Sequence, residues 1–288
     1  MSRRYAFFPG CVLDAAAREA RDATQAVAAR LGIELIEIHG WTCCGASQAQ
    51  DVEPDVVLAT NARNLALAET MGLDVLTACS TCALMLRKAR RDLSDATSRA
   101  EINQALAQAG LEYEGTADVL HILWLLADTV GEWTPLVEKP LSKVRVAPFY
   151  GCHTVRPPQV MTYEGHLDPH SMETVISACG AEPVTIAERL KCCGFHAVFP
   201  AEPTALRLTA NAADNARKGG ADCLLTPCPL CQMQLDMYQP DARAAAGKGG
   251  DTPVLHLTQL VGLALGLPHD ALGLSRHIVS VEALLEKC

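Results

Sequence analysis

The chain has 288 residues, of which 33 are acidic and 24 basic, and a formal net charge of −9 accompanies 49% hydrophobic residues. Because the basic residues are scattered along an acidic chain, nucleic acid is excluded as the main partner. The length allows two ordinary domains with a large buried core, and no low-complexity stretch indicates disorder. Thirteen cysteines, an odd number, fit a disulfide framework poorly and favour a reducing compartment in which cysteines bind metal.

The N-terminal stretch MSRRYAFFPGCVLDAAA imitates an export signal, because a twin arginine precedes a short apolar run and small residues. The apolar run is too short for such a signal, and Pro9, Gly10 and Asp14 interrupt it. No run of eighteen apolar residues follows, so we expect no membrane-spanning helix. We predict a cytoplasmic protein, for which peripheral contact with a membrane stays open.

Short apolar stretches alternate with helical stretches that end in glycine, such as 18–32 and 211–220. Strands that alternate with helices predict βαβ units and a parallel sheet. Because YAFFPGC returns as VAPFYGC and DVLHILWLL as PVLHLTQLV, we predict an α/β fold with two pseudo-symmetric, Rossmann-like halves. The stretch 131–143 resembles a linker, which divides the chain into domains 1–143 and 144–288.

Ten of the thirteen cysteines form two matching sets of five. The adjacent pairs Cys43–Cys44 and Cys192–Cys193 lie 149 residues apart, and a glycine follows each pair. A CxxC motif repeats at the same offset, CSTC in the first half and CPLC in the second. The first set is Cys11, Cys43, Cys44, Cys79 and Cys82, and the second set is Cys152, Cys192, Cys193, Cys228 and Cys231.

The first cysteine and the CxxC motif of each set follow a predicted strand. In a parallel sheet the carboxyl ends of all strands lie on one edge, which is the usual place for a ligand. Helices that begin just after the CxxC motifs would point their positive dipole ends at the thiolates and favour the charged form. We therefore expect the five thiolates of each half to meet at the C-terminal strand ends.

Five thiolates exceed what a simple metal site needs. Zinc takes four ligands, and a cubane iron–sulfur cluster also takes four cysteines. Adjacent cysteines point in different directions, so they suit neighbouring metal atoms or a bridging thiolate better than one tetrahedral ion. The pattern indicates a multinuclear iron–sulfur centre in each half, and a structural zinc protein is the weaker alternative.

The doubled pattern resembles the cysteine-rich CCG proteins, whose best-known member is the B-type subunit of heterodisulfide reductase. The resemblance runs from YAFFPGC through APFYGCHTVRPP, KCCGF and TPCPLCQMQLD to LGLSRHIVS, which is almost the whole chain. It implies two noncubane 4Fe-4S clusters, each with five cysteine ligands. The implied ligands are Cys11, Cys43, Cys44, Cys79 and Cys82 for the first cluster, and Cys152, Cys192, Cys193, Cys228 and Cys231 for the second.

The resemblance implies a thiol–disulfide redox component of a heterodisulfide-reductase-like complex. Its partners would be an iron–sulfur subunit of the C type and a flavin-containing subunit of the A type, because the chain has no nucleotide fingerprint such as GxGxxG. A disulfide or thiol substrate would bind in the cleft between the halves, within reach of both clusters. The apolar segments 122–126 and 260–266 are expected to leave surface for partner subunits.

Two branches of this family resemble the chain most. One is the protein of sulfur-oxidising complexes that resembles the B-type component of heterodisulfide reductase. The other is the E-type component of atypical succinate dehydrogenases, which replaces the membrane anchor. The intact Cys43–Cys44 pair favours the first branch, because E-type components often degrade that pair. The second branch gives the alternative function, an electron-transfer and anchor protein that passes electrons to quinone and converts no substrate itself.

Histidines beside the cysteine motifs are the candidate catalytic residues. His153 follows Cys152 and His196 follows CCGF, so either imidazole could donate a hydrogen bond to sulfur or a proton to a product thiol. His121 and His256 occupy equivalent VLH segments, where we predict helix caps, with a proton relay as the alternative. The cysteines outside the repeat are Cys179 and Cys223, predicted to pack in the core, and Cys288, predicted to be a mobile thiol.

Overall fold

The computed structural model describes residues 3–288, apart from the side chain of Gln48, so the first two residues of the predicted domain 1–143 lie outside the described residues. In the first half the elements are β1 (Arg3–Phe7), α1 (Gly10–Asp14), α2 (Arg18–Arg30), β2 (Ile33–Glu37), α3 (Gln48–Val52), α4 (Pro54–Thr70), β3 (Val75–Thr77), α5 (Ser80–Asp92), α6 (Ala96–Leu106), β4 (Val119–His121), α7 (Ile122–Asp128) and α8 (Val130–Trp133). In the second half they are β5 (Arg145–Pro148), α9 (Ser171–Ala178), β6 (Glu182–Pro183), α10 (Glu202–Lys218), β7 (Cys223–Thr226), α11 (Pro229–Met237), α12 (Gln239–Ala246), β8 (Val254–His256), α13 (Leu257–Ala264) and α14 (Glu282–Leu285).

Each half contains one four-stranded parallel sheet with the same strand order. The first sheet runs β2-β1-β3-β4 and the second runs β6-β5-β7-β8. The inner strands β3 and β7 are buried at every residue, as expected for a parallel sheet covered by helices on both faces. The prediction of an α/β fold with two similar halves is confirmed.

The helices bury small apolar faces against these sheets. In α2, for example, Ala20, Ala23 and Val27 are buried at helical spacing. The helix ends at Arg30, and Gly32 follows with a φ of 68°, a conformation that glycine adopts without strain. The turn leads directly into β2, so the glycine that ended the predicted helix also sets the start of the strand.

The two halves pack on each other through a reciprocal pair of helices. Helix α7 of the first half packs against α9 of the second, and α13 of the second half packs against α2 of the first. Ile122–Leu126 in α7 and Leu257–Ala264 in α13 are buried throughout. These apolar segments are core, as expected, but the expectation that they leave surface for partner subunits is wrong, because the other half of the chain covers them.

The stretch predicted as a linker is packed against both halves. The indole of Trp133 is buried and donates a hydrogen bond to the Leu126 carbonyl at 2.8 Å. The amide of Leu141, also buried, donates to the Cys179 carbonyl at the end of α9 at 2.9 Å. Within residues 3–288 no helix has the length and apolar character that crossing a membrane requires.

Candidate metal centres

A glycine precedes the first cysteine of each set and makes room for the last one. Gly10 has a φ of 72°, and a Cβ atom there would lie 2.6 Å from the Sγ atom of Cys82. Gly151 repeats this arrangement in the second half, with a φ of 73° and a distance of 2.9 Å to the Sγ atom of Cys231. Only glycine leaves this space, so the first and fifth thiols of each set share one cavity. Sequence reasoning missed this role, although the repeated Gly-Cys pair was its signal.

The glycine after each cysteine pair lets a helix pack directly on the turn. A Cβ atom on Gly45, whose φ is 69°, would lie 2.8 Å from a methyl group of Val57 in α4. A Cβ atom on Gly194, whose φ is 103°, would lie 2.9 Å from the backbone of Ala205 in α10. The CCG string is therefore a tight turn that presents two thiols beneath a helix.

The CxxC motifs sit at helix N-termini. Cys79 is the N-cap of α5 and Cys228 the N-cap of α11, so each helix begins inside its motif rather than just after it. The second cysteine of each motif lies in the first helical turn, where unpaired amides and the helix dipole favour a thiolate. This placement confirms the predicted relation between strand end, motif and helix.

The five thiols of the first set line one cavity of about 110 Å³. The Sγ atoms of Cys11 and Cys43 are 3.4 Å apart, and those of Cys44 and Cys82 are 3.6 Å apart. Cys11 and Cys43 are exposed, whereas the other three are buried. The second half contributes three residues to the wall, which are Phe195, His196 and Leu230.

The second set lines a much smaller cavity, of about 10 Å³. Cys152 and Cys192 are only partly exposed, and the amide of Gly194 donates to the Sγ atom of Cys192 at 3.4 Å. All thirteen cysteines of the chain are free thiols. The cavity is also lined by Ser80, Thr81, Tyr150, His153, Phe195, His196 and Leu230.

Within each set, one thiol of the adjacent pair is readily deprotonated. The hydrogen bond shared with Cys11 is the main cause that lowers the pKa of Cys43 to about 2, and the one shared with Cys152 lowers the pKa of Cys192 to about 2. The same hydrogen bonds are the largest cause that raises the pKa of Cys11 and of Cys152, and burial is the next largest. Metal binding requires thiolates, so these positions are suited to hold a cation.

The donor chemistry fits an iron–sulfur centre in each half. Five sulfur atoms and no carboxylate line each cavity, and soft thiolates are the ligands of iron–sulfur clusters as well as of Zn²⁺ and Cu(I). Five thiols exceed the four ligands that a structural zinc ion takes. Among residues 3–288, no three His, Cys, Asp or Glu side chains already surround a single metal-ion position. The five sulfur atoms of each set therefore surround a cavity and do not converge on the position of a single metal ion.

The two sites meet at their CxxC motifs. The thiols of Cys79 and Cys228 are close enough across the boundary between the halves to influence each other's pKa. The Thr81 hydroxyl lies 4.0 Å from the Sγ atom of Cys228 and 2.9 Å from Nδ1 of His153. Because His196 also lines both cavities, the two sites share walls instead of being separated by a layer of core.

The candidate catalytic histidines lie at this shared wall. The rings of His153 and His196 are 5.2 Å apart, and burial lowers the pKa of His153. The Nδ1 atom of His196 is buried without a hydrogen-bond partner among the described residues. The structure therefore brings both rings beside the cysteines, as the sequence predicted, and their catalytic role stays a prediction.

The remaining predicted residues line neither cavity. Cys179 and Cys223 are fully buried in the core, as expected. Cys288 was expected to be mobile, but it is half-buried and donates to the Leu284 carbonyl at 3.4 Å. His121 and His256 are fully buried and cap α7 and α13, which confirms the capping prediction.

Two relatives match the chain from end to end. It is 51% identical to the 8-methylmenaquinol:fumarate reductase membrane anchor subunit of Wolinella succinogenes, over 99% of this chain and 100% of that one. It is 30% identical to the B-type component of the ferredoxin/F420H2-dependent CoB-CoM heterodisulfide reductase of Methanosarcina acetivorans, over 99% of this chain and 96% of that one.

Structural comparison supports the same fold. A hypothetical protein from Helicobacter pylori superimposes on 98% of this chain with a TM-score of 0.80 at 17% identity, and this chain covers 53% of that one. The family model of the cysteine-rich domain called CCG matches residues 5–87 and 146–236, which include both cysteine sets. The chain therefore belongs to the CCG cysteine-rich domain family and is an iron–sulfur redox subunit.

Proposed function

We propose that the chain is the iron–sulfur electron-transfer and membrane-attachment subunit of a quinol-linked fumarate or succinate oxidoreductase. The observation that carries this proposal is the 51% identity, along both whole chains, with a methylmenaquinol:fumarate reductase membrane anchor subunit. The intact Cys43–Cys44 pair favours the other branch of the family. We give the identity more weight, because it samples the entire surface and core and not a single motif.

In this proposal each half holds one noncubane 4Fe-4S cluster, bound by its own set of five cysteines. Such clusters supply centres that accept and release single electrons. The residues of the chain provide the thiolates, and glycines make room for them, as Gly10 does for Cys82. The buried cysteines of each set keep most of the site away from water, which limits hydrolysis and oxidation of an iron–sulfur centre.

Exposed apolar side chains support attachment at a membrane surface on the cytoplasmic side. Val52 and Val56 are 73% and 59% exposed on the segment that follows the first cysteine pair. Phe199 is 85% exposed on the equivalent segment after the second pair. Apolar side chains of this kind can enter the interface of a bilayer, which would bring the more open first site close to quinol.

The test uses the complex purified anaerobically from its own host with its partner subunits. Menadiol should reduce the paramagnetic centres of this chain, and fumarate should reoxidise them, whereas the CoB–CoM heterodisulfide should change neither. Oxidation of both centres by the heterodisulfide, together with no response to menadiol, would replace this proposal with the next one.

The second candidate is thiol–disulfide conversion in a heterodisulfide-reductase-like complex with subunits of the A and C types. It is favoured by the wall that the two sites share and by the 30% identity with the B-type component of a heterodisulfide reductase. A disulfide would receive two electrons from the partner subunits. Its S–S bond would break, and two protons, delivered through His153 and His196, would complete two thiols.

A further inference from the structure

His121 and His256 occupy equivalent positions at the ends of β4 and β8 and are fully buried. The Nδ1 atom of His121 accepts a hydrogen bond from the Leu123 amide at 3.0 Å. The Nδ1 atom of His256 lies 2.9 Å from the Thr258 hydroxyl and also accepts a hydrogen bond from the Thr258 amide at 3.4 Å. A ring nitrogen that accepts from a backbone amide carries no proton, so in each neutral ring the proton is on Nε2.

The Nε2 atoms lie at the boundary between the halves. Nε2 of His256 lies 3.1 Å from the carbonyl oxygen of Ala78, the residue before Cys79 in the other half. Nε2 of His121 lies 3.3 Å from the hydroxyl of Ser80, which in turn accepts a 2.8 Å hydrogen bond from Thr154 of the other half, and the His121 ring also faces the carbonyl of Pro227, the residue before Cys228. Each histidine therefore caps a helix in its own half and has a second hydrogen-bonding partner at the boundary, beside the CxxC motifs.

The choice of histidine is explained by this second bond. Serine, threonine, aspartate and asparagine are the usual N-caps, and each could satisfy the helix amide alone. A short side chain cannot also reach a carbonyl in the other half, whereas the two nitrogens of imidazole lie on different sides of one rigid ring. Burial lowers the pKa of His121 to about 3 and that of His256 to about 4, so both rings stay neutral donors.

We propose that His121 and His256 form a reciprocal clamp that fixes the separation of the two CxxC motifs and thereby sets the coupling between the two iron–sulfur centres. The motifs meet where Cys79 contacts Cys228, so a shift of either backbone changes the shortest path between the sites. Electron exchange weakens steeply with distance. The clamp depends on the proposed function in one respect only, which is that each site holds an iron–sulfur centre. It does not depend on which substrate the complex uses.

The test compares His121→Asn, His256→Asn and the double variant in the intact complex. Asparagine keeps the helix cap but is too short to reach the other half. Iron content should stay near that of the parent. The spin–spin splitting between the two reduced centres should weaken in each single variant and be lost in the double variant, and the gap between their reduction potentials should change.

Tyr163→Phe is the matched control. It removes another hydrogen bond between the halves, the 2.6 Å bond that the Tyr163 hydroxyl donates to the Asp128 carboxylate, without touching a CxxC motif or either histidine. It should lower the unfolding midpoint and leave the splitting as in the parent. Unchanged splitting in the double histidine variant, or equal loss of splitting in Tyr163→Phe, would overturn the clamp.

Two further outcomes are informative. If an asparagine variant loses iron, His256→Gln, which has a longer amide, should restore both iron and splitting, and failure to restore them would count against the clamp. A parent complex with coupled centres that ignores menadiol would contradict the proposed quinol function and leave the clamp standing. The two proposals can therefore fail separately.

Discussion

The two cysteine sites share one pattern of residues but differ in how they meet solvent. The first site encloses about 110 Å³ and exposes Cys11 and Cys43, whereas the second encloses about 10 Å³ and half-buries Cys152 and Cys192. The residues between the CxxC cysteines differ as well, since CSTC supplies two hydroxyl groups and CPLC supplies none. The same pattern of five cysteines is thus presented once in an open site and once in a closed one.

The residues around the shared pattern differ as well. Val12, which follows the first cysteine, lines the first cavity, whereas His153 lines the second at the equivalent position. The stretch between the first cysteine and the pair is longer in the second half, and it is anchored by hydrogen bonds from Arg156 to the Leu190 carbonyl at 3.1 Å and from Arg87 of the first half to the Val160 carbonyl at 3.0 Å. The comparison teaches that the repeated motif gathers the thiols, while residues outside the motif determine the space around them.

The largest expected effect is loss of one centre without the other. Anaerobically prepared protein should contain about eight irons with acid-labile sulfide, if each site holds four. Cys44→Ser should remove the iron of the first site and Cys193→Ser that of the second, because each removes a buried thiol that is predicted to be a ligand. Iron analysis and electron paramagnetic resonance measure both effects.

Cys179→Ser and Cys223→Ser are the controls, since both cysteines lie outside the cavities. They should keep the parental iron content. Loss of half of the iron in Cys223→Ser would show that the ligands of the second half are wrongly assigned, and stoichiometric zinc without sulfide would contradict an iron–sulfur protein.

The next largest effect should come from substitution of the glycines that follow the cysteine pairs, because their surroundings differ between the two halves. Gly194→Ala meets the backbone of Ala205, whereas Gly45→Ala meets only a valine methyl group, so the second half should be destabilised more. A left-handed residue other than glycine costs about 1–2 kcal/mol before any collision. Gly72→Ala, which has a φ of 65° and no neighbour within 4 Å, isolates that cost. Denaturant unfolding should rank the three variants in this order, and equal values would mean that the turns relax.

The difference in solvent access between the two cysteine sites should be measurable in the metal-free protein. Iodoacetamide should alkylate Cys43 before Cys192, because both thiols have a lowered pKa but only Cys43 is exposed. Peptide mass spectrometry after short exposure gives the order, and the buried Cys223 serves as the unreactive reference. Similar rates at Cys43 and Cys192 would show that the second site is as accessible in solution as the first.

The smallest effect concerns the residues inside the CxxC motifs. Ser80→Ala removes the acceptor of a buried 2.8 Å hydrogen bond from Thr154 and should lower the unfolding free energy by about 1 kcal/mol. Pro229→Ala, at the equivalent position of the second half, removes no hydrogen bond and should cost less. If both substitutions lower the unfolding free energy by the same amount, the hydrogen bond between Thr154 and Ser80 does not stabilise the first half more than Pro229 stabilises the second.

The sequence predicted the fold class and the gathering of the ten thiols in two sets, because both repeat. Thiols at a constant offset are visible without any knowledge of packing, and strands that end in cysteine indicate the sheet edge where the thiols gather. Helices α7 and α13 were a different case. Their composition showed that they are buried, but periodicity does not say whether a helix packs on its own sheet, on the other half or on a partner chain.

Access to the sites could not be predicted for a similar reason. The stretch from Cys152 to Ser171 has no strand and no helix before α9 begins, and its position depends on single hydrogen bonds such as that from Arg87 to the Val160 carbonyl. A long-range bond of this kind leaves no pattern in the sequence. The helix start inside the CxxC motif is a smaller discrepancy, set by the extended backbone of Cys79 and Cys228.

The reciprocal packing of α7 on α9 and of α13 on α2 is an isologous contact, the kind that joins two identical subunits around a two-fold axis. A chain of half this length would form the same contact by pairing with a copy of itself, and alone it would expose the apolar face that α7 or α13 now buries. Joining both copies in one polypeptide removes the requirement that they stay identical. Each half can then keep its five cysteines while the residues around them diverge, which is how one molecule comes to carry an accessible cysteine site beside a sheltered one.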